Sequence, residues 1–369
     1  MSTPETDTHW MQRALELARQ GIFSTAPNPR VGCVIVKDGN LIGSGYHVRA
    51  GEAHAETAAL AEAGAGARGA TAYVSLEPCA HQGRTPPCAN ALIAAGVARV
   101  VVACRDPNPL VAGQGIARLQ AAGIEVSEGV CEEEAQRLNR GFFRRISSGR
   151  PFVTLKLAAS LDGKTALANG ESQWITSEAA RADVHYHRLA ADAIIAGTGS
   201  VIRDNARLTA RYPTELPSQP PLRVVIDSRL RTPRDAAVFD DPSPILIVCG
   251  MDARAPNYPA HVEWLRLPLK HGRVPLPALL DELGARGINN AFVEAGAALA
   301  GAFIQQNLAD EILLYLAPCL LGSGARELAQ LPPLQHLSDR MRARIDDCTL
   351  IGSDLLLRLT PETPCSQAS

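Results

Sequence analysis

One histidine, one glutamate and two cysteines are spaced for chemistry: His54-Ala55-Glu56, then Glu77-Pro78-Cys79, then Pro87-Cys88. An imidazole and two thiolates are the three-ligand set of a catalytic zinc that keeps its fourth position for water. Glu56 follows His54 by two residues, too close along the chain to join it as a ligand but able to reach a water on the metal. A zinc-activated water beside a proton-shuttling carboxylate is the apparatus of nucleobase deamination, whose signature is His-x-Glu followed by Pro-Cys. A neutral His54 with Cys79 and Cys88 as thiolates would make a formally neutral centre. Taken singly, each cysteine reads as a buried thiol and His54 as a helix-capping residue. A structural zinc would need a fourth protein ligand, for which His81 and Cys104 are candidates. The joint spacing favours the catalytic arrangement.

These side chains must be held by regular elements. Helical spacing predicts a helix over 9–19 with Thr8 as its N-cap, and Asp38-Gly39-Asn40 predicts a hairpin joining strands at 31–36 and 41–45. Residues 54–63 read as a helix with His54 and Glu56 in its first turn, and 72–76 as a buried strand running into Cys79. Thr85 is expected to cap a helix beginning at Pro86 and Pro87, so that Cys88 lies at a helix N-terminus, where the macrodipole favours a thiolate. Strands at 99–103 and 125–130 and helices at 115–122 and 132–146 complete an alternating pattern, which implies a three-layer α/β/α domain.

The cysteine spacing departs from the short Pro-Cys-x-x-Cys form: eight residues, Ala80 to Pro87, separate the two thiols. This polar insert would loop beside the metal, with Arg84 suited to a phosphate. Together Asn28-Pro29-Arg30-Val31-Gly32, His54-Ala55-Glu56 and the run Glu77 to Cys88, with its Gly-Arg-Thr-Pro-Pro, closely resemble the bifunctional riboflavin biosynthesis deaminase–reductases. The resemblance runs over residues 9–360. It implies a cytidine-deaminase-like first domain that hydrolytically deaminates a diaminopyrimidinone carrying a phosphoribosylamino group, with zinc on His54, Cys79 and Cys88 and Glu56 as the catalytic residue. Asn28, His47, Arg84, Asp106 and Asn108 match the deaminase side of that family, Asn28 and Arg84 as substrate residues.

Ser147-Ser148-Gly149-Arg150-Pro151 is the best boundary, giving a deaminase domain over 1–148 and a second domain over 149–369 whose tail, 361–369, is expected to be disordered. Strands at 152–158, 193–196, 222–226, 245–249 and 291–293 alternate with helices at 177–191, 277–286 and 299–307. The end, 311–318, 345–350 and 354–359, looks antiparallel, making a mixed α/β domain. The turn from Glu294 to Ala302 could hold a phosphate on backbone N–H groups, although a tight strand-to-helix turn explains it as well. The resemblance implies a dihydrofolate-reductase-like domain that uses NADPH to reduce the ribosyl group to ribityl, giving a phosphoribitylamino-uracil. By matching position, Ala158, Trp174, Ser200, Asp204, Ser228 and Gly296, Ala297, Ala298, Leu299, Ala300, Gly301 and Ala302 fall on the cofactor. Lys156, Ser172, Arg188, Leu208, Arg211 and Glu294 fall on the substrate, the arginines suiting its phosphate. The family shows Asp-x-Pro where this chain has Asp204-Asn205-Ala206.

Composition bounds the alternatives. Length 369 suggests two domains. The net charge is −2, and neither part is basic: residues 1–149 hold 14 Lys/Arg and 14 Asp/Glu, the remainder 22 and 24. With only 4% aromatic residues, this disfavours the alternative of a nucleic-acid-editing deaminase with an accessory domain, which wants basic grooves and stacking rings. A non-catalytic scaffold is disfavoured by the complete His54, Glu56, Cys79, Cys88 set. Nine scattered cysteines fit a reducing cytosol, and no secretory leader or membrane-length apolar run is read, so a cytoplasmic enzyme is expected. Its expected partner is a phosphorylated pyrimidine, with no nucleic acid and no membrane. A homo-oligomer, dimer or tetramer, is implied by the resemblance alone.

Overall fold

The computed structural model describes residues 4–80, 86–109, 111–254 and 256–362. The chain divides into two units, one of 1–149 with 214–219 and one of 150–213 with 220–369.

In the first unit, α1 (Pro4–Arg19) precedes a hairpin of β1 (Gly32–Lys37) and β2 (Asn40–Tyr46), followed by α2 (Ala55–Ala63), β3 (Thr71–Val74), α3 (Cys88–Ala95), β4 (Arg99–Val102), α4 (Gln114–Ala121), β5 (Glu125–Glu128), α5 (Glu132–Leu138) and α6 (Arg140–Ser148). The sheet runs β2-β1-β3-β4-β5; β1 is antiparallel to β2 and β3, whereas β3, β4 and β5 are parallel. Alternation along β1 makes the layers. Cys33 and Ile35 join Val74, Val100 and Val102 in a core with Ala55 and Ala59 of α2 and Leu92 of α3. Val34 and Val36 face the opposite way, onto Met11 and Leu15 of α1.

The helix carrying Glu56 lies directly on β2, because two glycines let the backbones meet. A Cβ at Gly43 would fall 2.3 Å from the Ala59 carbonyl oxygen, and one at Gly45 2.7 Å from that of Ala55. No side chain fits there.

Three local expectations are corrected. The first helix begins at Pro4, so Thr8 lies within it and caps nothing. The third begins at Cys88, with Pro87 in the N-cap position and Pro86 before it; Thr85 lies outside the described residues. The single helix expected over 132–146 is two, broken at Asn139. Its side chain accepts from the Arg30 N–H and donates to the Arg30 carbonyl, both at 2.8 Å, and this tertiary demand competes with helical continuity. The Pro-rich stretch after Tyr212 also departs from its place in sequence: residues 214–219 pack with the first unit, where the Gln219 N–H donates to the Phe23 carbonyl at 2.9 Å.

The second unit comprises β6 (Phe152–Ser160), β7 (Lys164–Ala166), α7 (Glu178–Ala190), β8 (Ala193–Gly197), α8 (Thr198–Asp204), β9 (Leu222–Ile226), β10 (Ile245–Gly250), β11 (Val262–Leu267), α9 (Leu276–Ala285), β12 (Asn290–Glu294), α10 (Ala297–Gln305), β13 (Glu311–Ala317), β14 (Arg326–Glu327), β15 (Arg342–Ile351) and β16 (Asp354–Glu362). Nine strands form one sheet, β11-β10-β9-β8-β12-β6-β13-β16-β15, and β7 pairs with β14 in a small second one. The large sheet is parallel from β11 to β13 and antiparallel beyond. Ser177 caps α7, its hydroxyl accepting from the Ala180 N–H at 3.2 Å. One face of the sheet packs Leu155, Ile195 and Val293 against α9 and α10 through Leu279, Leu283 and Phe303. The other meets α7 at Ala180 and Val184. Residues 363–369, most of the tail expected to be disordered, lie outside the described residues.

The glycine contacts make a direct prediction. Gly43→Ala should lower the stability of the first unit by about 1–3 kcal/mol, the usual cost of overpacking, read as a shift in its urea transition with that of the second unit unchanged. An unshifted transition would show that α2 can ride away from β2 freely.

Candidate active sites

His54 occupies the N-cap of α2 with an extended backbone (φ −74°, ψ 160°), which turns its side chain back toward the incoming chain. Cys79 follows β3, and Cys88 opens α3. The Nδ1 of His54 lies 3.2 Å from the Cys88 Sγ and 3.7 Å from the Cys79 Sγ, and the three ligand atoms are all within 4.8 Å of one another. A tetrahedral zinc with ligand distances of about 2.0–2.3 Å requires edges of roughly 3.5 Å. The trio fits. It is the one such His/Cys/Asp/Glu group among the described residues. Cys104, weighed as a fourth ligand, is instead buried with its Sγ 3.6 Å from the Ser75 carbonyl, and burial pushes its thiol up to about 12. His81 lies outside the described residues, as does Arg84.

The two thiols are unlike. A hydrogen bond from Cys88, then one with His54, hold the Cys79 thiol far below its ordinary value, against burial. Cys88 is driven up by that same bond and by burial. His54 is raised chiefly by its bond to Cys79. Zinc binding requires both cysteines as thiolates.

Glu56, in the first turn of α2, is 3% exposed and hydrogen-bonded with Cys88. Burial pushes its carboxyl above the usual carboxylate range, toward the pH at which a base can both take and return a proton. Asn28 connects to the same place. The His47 Nδ1 is 3.0 Å from the Ala53 carbonyl, which can only accept, so Nδ1 carries the proton and Nε2 accepts from the Asn28 Nδ2 at 2.9 Å. Burial lowers the His47 pKa. Asn28 is thereby oriented with its carbonyl oxygen turned away from His47. Asp106 and Asn108 lie just beyond β4, with the Asp106 Oδ1 accepting from the Asn108 N–H at 2.8 Å.

In the second unit the predicted residues gather at the carboxyl ends of the parallel strands, where open α/β sheets bind ligands. Lys156 on β6 and Glu294 on β12 are register partners. Arg188 of α7 grips Glu294 in a two-pronged ion pair, with Nη2 to Oε2 at 2.8 Å, both side chains 16% exposed, and donates to the Thr209 carbonyl at 2.9 Å. The Glu294 carboxyl is lowered despite burial, by Arg188 foremost and then Lys156; Lys156 is lowered by burial, against Glu294. Arg188 thus spends its charge on an internal partner. Arg211, exposed, is tied through its N–H to the His185 Nδ1 at 3.2 Å. His185 was missed in the sequence, although its place three residues before Arg188 on α7 puts both on one helical face.

The cofactor candidates divide. Gly296 is the N-cap of α10, and a Cβ there would sit 3.6 Å from the Ser200 Oγ and 3.5 Å from the Arg203 Nη2, so β12 and α8 bring these together. Ala158 follows Lys156 on β6, one pleat on. Asp204 ends α8, where burial raises its carboxyl above the usual carboxylate range, against the opposing pull of Arg203 and Arg326. Where Ala206 replaces the proline of the family's Asp-x-Pro, the preceding Asn205 adopts φ +44° and its Oδ1 accepts from the Ala237 N–H at 2.8 Å. Trp174 is 69% exposed, with the Arg181 guanidinium 4.4 Å over its ring; Ser172 lies two residues before it. The Ser228 Oγ accepts from the Val274 N–H at 3.3 Å. Three positions face the protein instead: Ala300 lies in the core, a Cβ at Gly301 would fall 2.0 Å from the Gln330 carbonyl oxygen, and Leu208, a substrate candidate, is buried with φ +55°. Gly296, Ala297, Ala298 and Leu299 therefore form the open start of α10, ahead of Ala302.

A His/Cys/Cys trio with a buried carboxylate beside it defines a class for the first unit, that of the zinc-dependent deaminases. Residues 4–104 match the cytidine and deoxycytidylate deaminase zinc-binding region, and residues 151–357 match the RibD C-terminal domain. The chain is 49% identical to riboflavin biosynthesis protein RibD of Escherichia coli (strain K12), over 96% of this chain and 99% of that one, and 45% identical to the protein of the same name from Haemophilus influenzae, over 96% and 98%. Its fold is similar to the solved Acinetobacter baumannii RibD, form 1, with TM-score 0.90, 45% identity and coverage of 98% and 100%. A Thermotoga maritima diaminohydroxyphosphoribosylaminopyrimidine deaminase/5-amino-6-(5-phosphoribosylamino)uracil reductase matches with TM-score 0.87, 34% identity and coverage of 97% and 99%. The chain belongs to the riboflavin biosynthesis protein RibD family. It is an enzyme of riboflavin biosynthesis with a zinc-binding deaminase domain and an NADPH-dependent reductase domain. Among the described residues no helix is long and apolar enough to cross a membrane.

The ligand trio predicts that Cys88→Ser purifies with far less than one zinc per chain, whereas Cys104→Ser keeps its zinc. Metal analysis of the two variants checks this; equal loss from both would make the site structural.

Proposed function

We propose that the first domain hydrolyses the ring amine of a diaminopyrimidinone bearing a phosphoribosylamino group, and that the second reduces the ribosyl group of the product to ribityl with NADPH. The observation that carries the first half is the His54–Cys79–Cys88 trio with the buried Glu56 against it. When bound, zinc supplies Lewis acidity that makes a water nucleophilic near neutral pH. Glu56 takes a proton from the attacking water and returns it to the departing amine: a C–O bond forms, the C–N bond breaks, and ammonia leaves. Its raised pKa serves the return step, since too weak a base could not hold the proton in between. Asn28, oriented by His47, is placed to accept a hydrogen bond from the substrate, and Arg84 is assigned to its phosphate.

The second half rests on the Lys156–Glu294–Arg188 cluster beside the open start of α10. Hydride chemistry belongs to the nicotinamide, and the chain has only to position it against the sugar. Ala158, Trp174, Ser200, Asp204, Ser228 and the α10 start are assigned to the cofactor. Lys156, Ser172, Arg188, Leu208, Arg211 and Glu294 are assigned to the substrate, Leu208 through its backbone and Lys156 toward the ribose. The deaminase domain is taken to span 1–148 and the reductase domain 149–369. We assign the enzyme to the cytoplasm.

Separate assays of ammonia release and NADPH oxidation test both halves. Glu56→Gln should retain zinc and reductase turnover while deamination falls by about 10²–10⁴-fold; loss of zinc would show Glu56 to be a ligand. Glu294→Gln should abolish NADPH oxidation, leave deamination intact and destabilise the second domain by roughly 3 kcal/mol, because Arg188 is left buried without its partner. Glu294 has a folded pKa below its ordinary 4.5, so its contribution is present above that pH and lost as pH falls through the folded value. The stability gap between parent and variant should therefore close in acid. Equal loss of both activities would instead mean coupled sites.

A homo-oligomer is part of this reading. Leu337, Leu350 and Ile345, 61–78% exposed, lie along or near the edge strand β15, an apolar edge of the kind that another chain covers. Light scattering should give a mass of two or four chains; a mass of one chain would overturn it.

A further inference from the structure

Glu77 takes no part in the chemistry above, yet it is 3% exposed and its carboxylate is fully engaged. Its Oε2 accepts from the N–H groups of Asp106 at 3.3 Å and Gly113 at 3.0 Å, and its Oε1 from those of Gly115 at 2.9 Å and Ile116 at 3.3 Å. Its own N–H donates to the Cys104 carbonyl at 3.0 Å. All five partners lie between the end of β4 and the first turn of α4. Charge-assisted bonds from a buried carboxylate to backbone amides are among the stronger ones a chain can make, and here they tie one connection to another far away in sequence. Gly115 adds an independent contact: a Cβ there would lie 1.9 Å from the Pro78 carbonyl oxygen, so the two segments touch backbone to backbone.

The tied segment carries Asp106 and Asn108 past the carboxyl end of β4. Its neighbour β3 runs on from its own carboxyl end to Cys79, and ligands of such sheets bind outside these ends. Residues 106–109 therefore leave the sheet at the same end as Cys79. Cys79 is anchored separately, on α3: its Sγ accepts from the Cys88 N–H at 3.3 Å and its carbonyl from the Ala89 N–H at 3.2 Å. Removing the Glu77 carboxylate would free this segment and spare the metal ligand.

We propose that Glu77 is a positioning residue for the deamination step, clamping residues 106–109 at the sheet end that carries Cys79 so that substrate is captured in register with the metal. This rests on the deaminase reading of the first domain. Glu77→Gln keeps the shape but turns one acceptor oxygen into an NH₂ group facing two N–H donors. In the full-length zinc-loaded protein it should raise KM for the diaminopyrimidinone by about tenfold or more while kcat changes by less than about threefold. Zinc content and NADPH oxidation should match the parent. Gly115→Ala, which pushes the same segment off Pro78 without touching the carboxylate, should give the same KM-weighted defect, and it carries the test alone if the first variant does not accumulate. Loss of zinc in Glu77→Gln, or an unchanged KM in either variant, would overturn the proposal. Failure of the parent to release ammonia, with zinc bound, would overturn the deaminase reading and the proposal with it.

Discussion

An imidazole and a thiol 34 positions apart in the chain approach to 3.2 Å, with a second thiol 3.7 Å from the same nitrogen, and the first domain is arranged around that convergence. Each ligand sits where an element begins or a strand has just ended, so the sheet and two helices fix its position without flexible linkers. The close seating of α2 on Gly43 and Gly45 sets where His54 and Glu56 stand, and the Cys88 N–H bond to the Cys79 sulfur sets the other side. Once these backbones are placed, the ligand atoms have little freedom left. A metal then costs little reorganisation, and the neighbouring carboxylate is already buried beside it.

The second domain meets a different demand. Its cluster is charged and half-buried, so each group is held by an opposite partner: Glu294 between Arg188 and Lys156, with Arg188 also bound to a backbone carbonyl. Desolvating such charges is expensive unless they are paired, and a pocket built this way keeps its shape before any ligand arrives. The start of α10 beside Ser200 and Arg203 is open by contrast, a small-residue turn that a cofactor can approach closely.

The zinc set was legible in the sequence because metal ligands are constrained in type and spacing over a short range, and the unusual gap between Cys79 and Cys88 was the most specific part of that signal. Buried strands such as β9 and β10 were legible from their apolar runs. What could not be read depends on distant partners. The break at Asn139 comes from Arg30, more than a hundred residues earlier. Arg188 was read only as suiting a substrate phosphate, because the carboxylate it pairs with lies 106 positions away. Glu77 read only as part of a motif, since the amides it binds belong to another connection. Short elements such as β7, β14 and α8 carry too little pattern to be read alone, and β11, buried only at its two ends, escaped as well.

The central claim is that the zinc site of the first domain has three protein ligands and an open fourth position. X-ray absorption at the zinc edge of the purified protein addresses it directly. The account predicts two sulfur scatterers at about 2.3 Å and two nitrogen or oxygen scatterers at about 2.0–2.1 Å, with one of the light scatterers exchanged by an added anion such as cyanide. A shell of three sulfurs, or one that no added ligand alters, would mean a closed structural zinc and would contradict it.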